Sequence, residues 1–197
     1  KQFFLPKFEA EYGASHGLDP AADFAGYVRG IVPATSTSNE VFGFKVMGWY
    51  LEDFLQRLRQ AFPKKESDRA LLESIFPRLR YLRIVRKNKL RQAISKAKAL
   101  QSGLWKVQSG NAATGEPVFD FDLIHRCLEE TREDERVWER FFEAQGITPH
   151  TVIYEDLCEN YDVTIRSTLA FLGVRIPHSL RIEPATVRQS DRLSEEW

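Results

Sequence analysis

The sequence predicts an α/β fold, layered around a central, mostly parallel sheet with helices on its faces. Two observations predict it. Short apolar runs of strand length alternate with longer segments whose apolar residues recur at helical spacing, the pattern of βαβ units. The apolar run at Tyr81–Val85 also turns at once into a helix, and in parallel sheets ligands sit where a strand's carboxyl end enters a helix.

The elements follow in order. Asp19 and Pro20 read as an N-cap and a first-turn proline, opening a helix to about Ile31. "PATSTSNE", Pro33 to Glu40, is a polar loop. "VFGFKVM", Val41 to Met47, reads as a buried strand. Tyr50, Leu51, Phe54, Leu55 and Leu58 line one face of the next helix, and Ser67–Phe76 forms a short one. Tyr81–Val85 is the second strand, Lys89–Leu104 a basic helix, and Ser109–Pro117 a turn-rich loop. The longest helix runs from about Asp122 to Gln145 and stops at Gly146; Ile124, Leu128, Trp138, Phe141 and Phe142 mark its inner side. Thr151–Tyr154 is a third strand, and Asn160 opens a helix that ends at Gly173.

Composition narrows the function. The 197 residues read as one domain, 1–197, and 43% hydrophobic content supports a real core. The 28 basic residues equal the 28 acidic ones, which argues against a generic nucleic-acid binder. Cys127 and Cys158 read as reduced, buried thiols of a cytoplasmic protein. No membrane span is expected, because no apolar run reaches the roughly 18 residues one needs, and no secretory leader is read. His16, His125, His150 and His178 show no metal-ligand spacing, so no metal is expected. The chain opens "KQFFLPKF", which we read as a start inside a domain, with one or two strands lying upstream. The apolar residues of "FFLPKF" read as exposed, a surface for a homodimer.

The most informative stretch is "YLRIVRKNKLRQAISKAKALQSG". No Asp or Glu occurs from Ser74 to Gly115, although the chain as a whole is neutral. Arg86, Lys87, Lys89 and Arg91 crowd a helix N-terminus, where cations oppose the helix dipole unless an anion joins them. Free N–H groups there favour phosphate. Ser95, eight positions after Lys87, could add a hydrogen bond to the same phosphate.

A strand, a basic residue and a serine eight positions later resembles the 3′-phosphate-binding element of sulfotransferases. "VIYEDLCENYDVTIRSTLAFLGV" resembles their "YEDL…FLG" segment. "VFGFKVMGWYLEDFLQRLR", "RQAISKAKALQSGLW", "WERFFEAQGI" and "RQSDRLSEEW" are similar to stretches of the bacterial trehalose 2-sulfotransferase family, so the likeness covers nearly the whole chain. It implies a three-layer fold like that of P-loop NTPases, with 3′-phosphoadenosine 5′-phosphosulfate as donor and a sugar or glycolipid hydroxyl as acceptor. Arg86, Lys87 and Ser95 are then expected to hold the 3′-phosphate, with Lys87 where cytosolic and Golgi members carry arginine. Arg188 and Gln189 fall in the family's closing segment, implied to fold over the nucleotide. The family's phosphosulfate loop is expected upstream of Lys1. Gln2 stands where the family carries a glutamate proposed as general base, and an amide cannot take that proton. Glu9 and Glu11 are candidates by nearness in sequence. Lys45, at the end of its strand, is a candidate to stabilise the bridging oxygen or orient the acceptor. Trp49 and Trp105 could stack on adenine or sugar.

Three rivals remain at this point. A nucleic-acid module built on the basic helix conflicts with zero net charge and the acidic long helix. A nucleoside or sugar kinase shares the fold but needs a loop ending GK[ST] and an acidic magnesium ligand. A catalytically inactive relative with an interaction role would accommodate Gln2.

Overall fold

A computed structural model describes residues 1–105 and 117–184. Among these the elements run α1 (Pro6–Ser15), α2 (Phe24–Thr35), α3 (Gly48–Ala61), α4 (Asp68–Ile75), β1 (Leu82–Val85), α5 (Lys89–Ser102), α6 (Phe121–Ala144), β2 (His150–Ile153), α7 (Tyr154–Glu159) and α8 (Tyr161–Phe171). The architecture is α/β: a small parallel sheet accompanied by many helices. The chain forms two compact units. One comprises Lys1–Leu79 with Asp134–Ile147, the other Arg80–Glu133 with the residues from Thr148 onward.

The first unit is built on aromatic rings. Phe4 is 1% exposed and lies within 4.9–6.3 Å, ring centre to ring centre, of Tyr27, Phe42, Phe44, Phe54 and Phe76. Such pairs add to the hydrophobic gain from burial, roughly 0.5–1.5 kcal/mol each. Phe3 is also buried, against Tyr12 and Phe42. The expectation that the apolar residues of "FFLPKF" are exposed is therefore corrected for its first two rings: they lie in the core, since two adjacent phenylalanines gain more inside than they could on a wet face.

The predicted strand Val41–Met47 is corrected as well. Its residues alternate as an extended segment should, with Val41, Gly43 and Lys45 exposed and Phe42, Phe44 and Val46 turned inward. It belongs to no described strand, and its Lys45 N–H bonds to the Lys1 carbonyl at 2.8 Å. The alternation reports a half-buried extended chain, which does not require a sheet partner.

The helix expected from Asp19 begins instead at Phe24, where the Asp23 side chain accepts the Gly26 N–H. Asp19 caps only a turn, accepting from Ala21 and Ala22. Helix α1, which opens on Pro6, was not anticipated, although a proline at the first helical position is its signal. Gly48 opens α3 hard against α6: a Cβ there would lie 2.6 Å from the Asp134 Cα.

In the second unit β1 and β2 run parallel, in the register Leu82–His150 to Val85–Ile153. Helix α5 buries Ala93, Ile94 and Ala97 against Ile124 and Cys127 of α6, and Lys96 pairs with Glu130 at 2.7 Å. Cys127 is buried as expected, but Cys158, near the end of the short α7, is exposed. Helix α8 closes on β2, with the His150 and Phe171 rings stacked 4.7 Å apart. Helix α6 ends at Gly146 in the left-handed region, φ 59°, and α8 is followed by Gly173 at φ 75°, both as the sequence predicts.

Candidate functional site

Parallel pairing sets the site. Because Val85 pairs with Ile153, the next residues of each strand leave the sheet side by side. Arg86-Lys87-Asn88 thus meets Tyr154-Glu155-Asp156, although some 68 residues separate them in sequence. The Arg86 guanidinium lies over the Tyr154 ring, 4.6 Å from its centre. The Glu155 carboxylate accepts two backbone N–H groups, Lys87 at 3.0 Å and Asn88 at 3.1 Å. Lys87 Nζ reaches Asp156 at 3.3 Å, and both side chains are exposed. The Asn88 side chain caps α5 by accepting the Arg91 N–H at 2.9 Å.

The sequence located the cation cluster but not the anions that answer it. Glu155 and Asp156 belong to the "YEDL" stretch, and a capping role for them was not foreseen. Only the strand register could have revealed it. Burial pushes the Glu155 carboxyl up, but the amides of Lys87 and Asn88, its own N–H and the Arg86 charge pull harder the other way, and it lies below the usual carboxylate range. The cations at this turn are therefore partly neutralised by the chain itself.

Among the described residues, Arg86 Nε is one of three buried side-chain atoms without a hydrogen-bond partner, with Tyr81 Oη and Gln92 Oε1. A buried donor left unpaired costs about 1–3 kcal/mol, so an acceptor brought by a ligand would relieve it. Ser95 is exposed on α5, seven residues beyond Asn88 and therefore on the same helix face, about 10 Å along the axis.

Most of the other predicted residues belong to the first unit. Gln2 and Lys45 are among them: the Lys45–Lys1 backbone bond makes their segments neighbours, and the Lys45 side chain is exposed. Glu9, also in that unit, is 4% exposed and held by Arg57 in two bonds of 2.7 and 2.8 Å. Arg57 also bonds the Tyr50 hydroxyl and lies 3.9 Å from the centre of the Phe24 ring. Burial alone would lower the Arg57 pKa; its bonds to Glu9 and Tyr50 reverse that and raise it. Trp49 and Trp105 are both exposed. Arg188 and Gln189 lie outside the described residues. Among the described residues no three His, Cys, Asp or Glu side chains gather as a metal would require, and no helix is long and apolar enough to cross a membrane.

A parallel strand pair that delivers an arginine, a lysine and a capped helix to one edge defines an α/β protein with a cationic turn at a strand's carboxyl end. The profile of the Stf0 sulphotransferase family matches residues 9–197, and the chain belongs to that family. It is similar to a trehalose 2-sulfotransferase of Mycobacterium tuberculosis, 26% identical over 164 residues, covering 82% of this chain and 60% of that protein. It is also similar to a trehalose 2-sulfotransferase of Mycolicibacterium smegmatis, 26% identical over 186 residues, covering 91% of this chain and 66% of that protein. The chain thus spans somewhat under two thirds of the length of these curated relatives.

Proposed function

We propose that the protein is a cytoplasmic sulfotransferase that moves a sulfuryl group from 3′-phosphoadenosine 5′-phosphosulfate to a carbohydrate hydroxyl. Trehalose, named in both relatives, is the first acceptor to try, ahead of other glycans and glycolipid head groups. In this reading the described sheet belongs to a three-layer fold of the P-loop NTPase kind.

The observation that carries the reading is Arg86. Its Nε is buried without a partner, at the carboxyl end of a parallel strand, beside a second cation whose own partner is weak. An exposed pair such as Lys87–Asp156 contributes about 0–1 kcal/mol, whereas a charge-assisted bond to phosphate contributes about 1.5–3. A phosphate therefore displaces Asp156 from Lys87. Arg86, Lys87 and Ser95 are assigned to the donor's 3′-phosphate; Arg188 and Gln189 are assigned to closing over the nucleotide.

The transfer is an in-line displacement. The acceptor oxygen forms a bond to sulfur, the bond from sulfur to the bridging oxygen of the 5′-phosphate breaks, and the acceptor's proton passes to a carboxylate, for which Glu9 and Glu11 are the candidates. The products are a sulfate ester and 3′,5′-ADP. Lys45 is assigned to the bridging oxygen, where a cation offsets the charge that develops. Of the two carboxylates, Glu9 would have to give up at least one of its two charge-assisted bonds to Arg57 to take a proton, and would weaken the other. Gln2, whose position is the family's base position, is assigned to orienting the acceptor by hydrogen bonding.

The test is to incubate the intact protein with the sulfate donor and a panel of sugars. Sulfation of trehalose or another sugar is the expected result. ATP-dependent phosphorylation of any sugar, with no sulfation, would overturn it.

A further inference from the structure

We propose that Glu155 is a positioning residue: its carboxylate fixes the turn after β1 in the shape that presents Arg86 and Lys87 to the donor's 3′-phosphate, and so sets the preference for nucleotides carrying that group. This rests on the donor reading above.

The argument starts from the amides. Consecutive N–H groups that point the same way, at the entry to a helix, form the concave site where phosphates usually sit. Here that site is taken. One Glu155 oxygen holds Lys87 N–H and the other holds Asn88 N–H, at 3.0 and 3.1 Å. The two-pronged grip pins two successive peptide planes. An incoming phosphate finds these backbone donors occupied and must be recognised by side chains.

The neighbours of Glu155 divide the remaining work. Tyr154 carries the Arg86 guanidinium on its ring, which orients the plane but satisfies no N–H. Arg86 Nε is left buried and without a partner, the kind of donor a phosphate oxygen would satisfy. Asp156 holds Lys87 Nζ loosely, between two exposed side chains. Glu155 therefore differs from Asp156. Both are anions near an anion site and both repel a phosphate, but Glu155 acts on the backbone while Asp156 competes for the lysine.

That difference gives opposite signs. Titration calorimetry with 3′,5′-ADP and 5′-AMP measures the 3′-phosphate preference directly, on the intact wild-type protein, Glu155→Gln and Asp156→Asn. Wild type should prefer 3′,5′-ADP. Glu155→Gln, whose amide nitrogen faces one of the two N–H donors, should lower that preference about tenfold, roughly the effect of one misplaced charge-assisted bond, and leave 5′-AMP binding unchanged. Hydrogen exchange at Lys87 and Asn88 should speed up in the same variant. Asp156→Asn should keep or raise the preference.

A rise in preference in Glu155→Gln would make Glu155 a competing anion like Asp156 and overturn the assignment. Equal losses for both nucleotides would reduce it to general folding and overturn it too. Glu155→Asp, one methylene short of reaching both amides, is the second variant; an unchanged preference there also overturns it. A wild-type protein with no preference refutes the donor reading itself, and this assignment with it, and is recognised without any substitution.

Discussion

Arg57 grips Glu9 through two parallel bonds, Nη1 to Oε1 at 2.7 Å and Nη2 to Oε2 at 2.8 Å, across 48 residues of sequence. The carboxylate is buried and the guanidinium about a quarter exposed. Breaking such a pair costs more than the pair is worth, because one charge is left behind in a poor solvent. Glu9→Ala and Arg57→Ala should each lower the free energy of unfolding by about 3 kcal/mol. The double variant should lose far less than the sum, which urea unfolding of the four proteins checks.

Phe4 is the ring on which the first unit's core converges. Phe4→Ala should cost about 3–5 kcal/mol, the range for deleting a fully buried aromatic ring. Phe4→Leu, which keeps most of the volume, should cost clearly less. Equal losses for the two would mean that ring volume is not what matters.

Gly48 tests two opposed effects. Alanine is the better helix former by up to about 1 kcal/mol. The added Cβ, however, would press on the Asp134 backbone, 2.6 Å from its Cα, and backbone cannot swing aside as a side chain can. Overpacking of this kind costs about 1–3 kcal/mol, so Gly48→Ala should lower the melting temperature. A raised melting temperature would show that the start of α3 yields easily.

Arg86 and Lys87 should be separable by nucleotide. Arg86→Ala and Lys87→Ala should each weaken 3′,5′-ADP binding roughly 10- to 100-fold, since each removes a charge-assisted bond. Adenosine 5′-phosphosulfate, which has no 3′-phosphate, should bind the variants and wild type alike. Equal weakening of both ligands would place these cations on a different phosphate. Ser95→Ala should cost less, because a neutral donor is lost.

The low Glu155 pKa fixes the direction of one acid effect. A carboxyl whose folded pKa lies below its unfolded value, about 4.3 for glutamate, adds stability that is present above that value and lost as pH falls through the folded pKa. Carbon-13 NMR should show Glu155 titrating below the usual glutamate range, with the Lys87 and Asn88 amide shifts following the same curve. Amides that move with a different midpoint would break the link.

Local chemistry made much of this legible in the sequence. Periodic apolar spacing placed α3, α4 and α6 to within a few residues, and Gly146 and Gly173 marked the ends of α6 and α8. The cation cluster at Arg86 and Lys87 was visible because charge at a helix N-terminus is a local fact. Helices α1 and α7 were missed, the first behind a single proline and the second because six residues carry too little periodicity. Alternation at Val41–Met47 specified an extended chain, but a strand also needs a hydrogen-bonded neighbour, and no window of sequence names one. Other decisions belonged to the tertiary structure alone. The register of β1 on β2 chose which carboxylates meet the cations, bringing Glu155 to the turn amides and Asp156 to Lys87. Burial joined Glu9 to Arg57 and drew Phe3 and Phe4 inside. Pairings between distant residues follow from how the whole chain packs, because the free energy that selects them is shared among contacts no single segment contains.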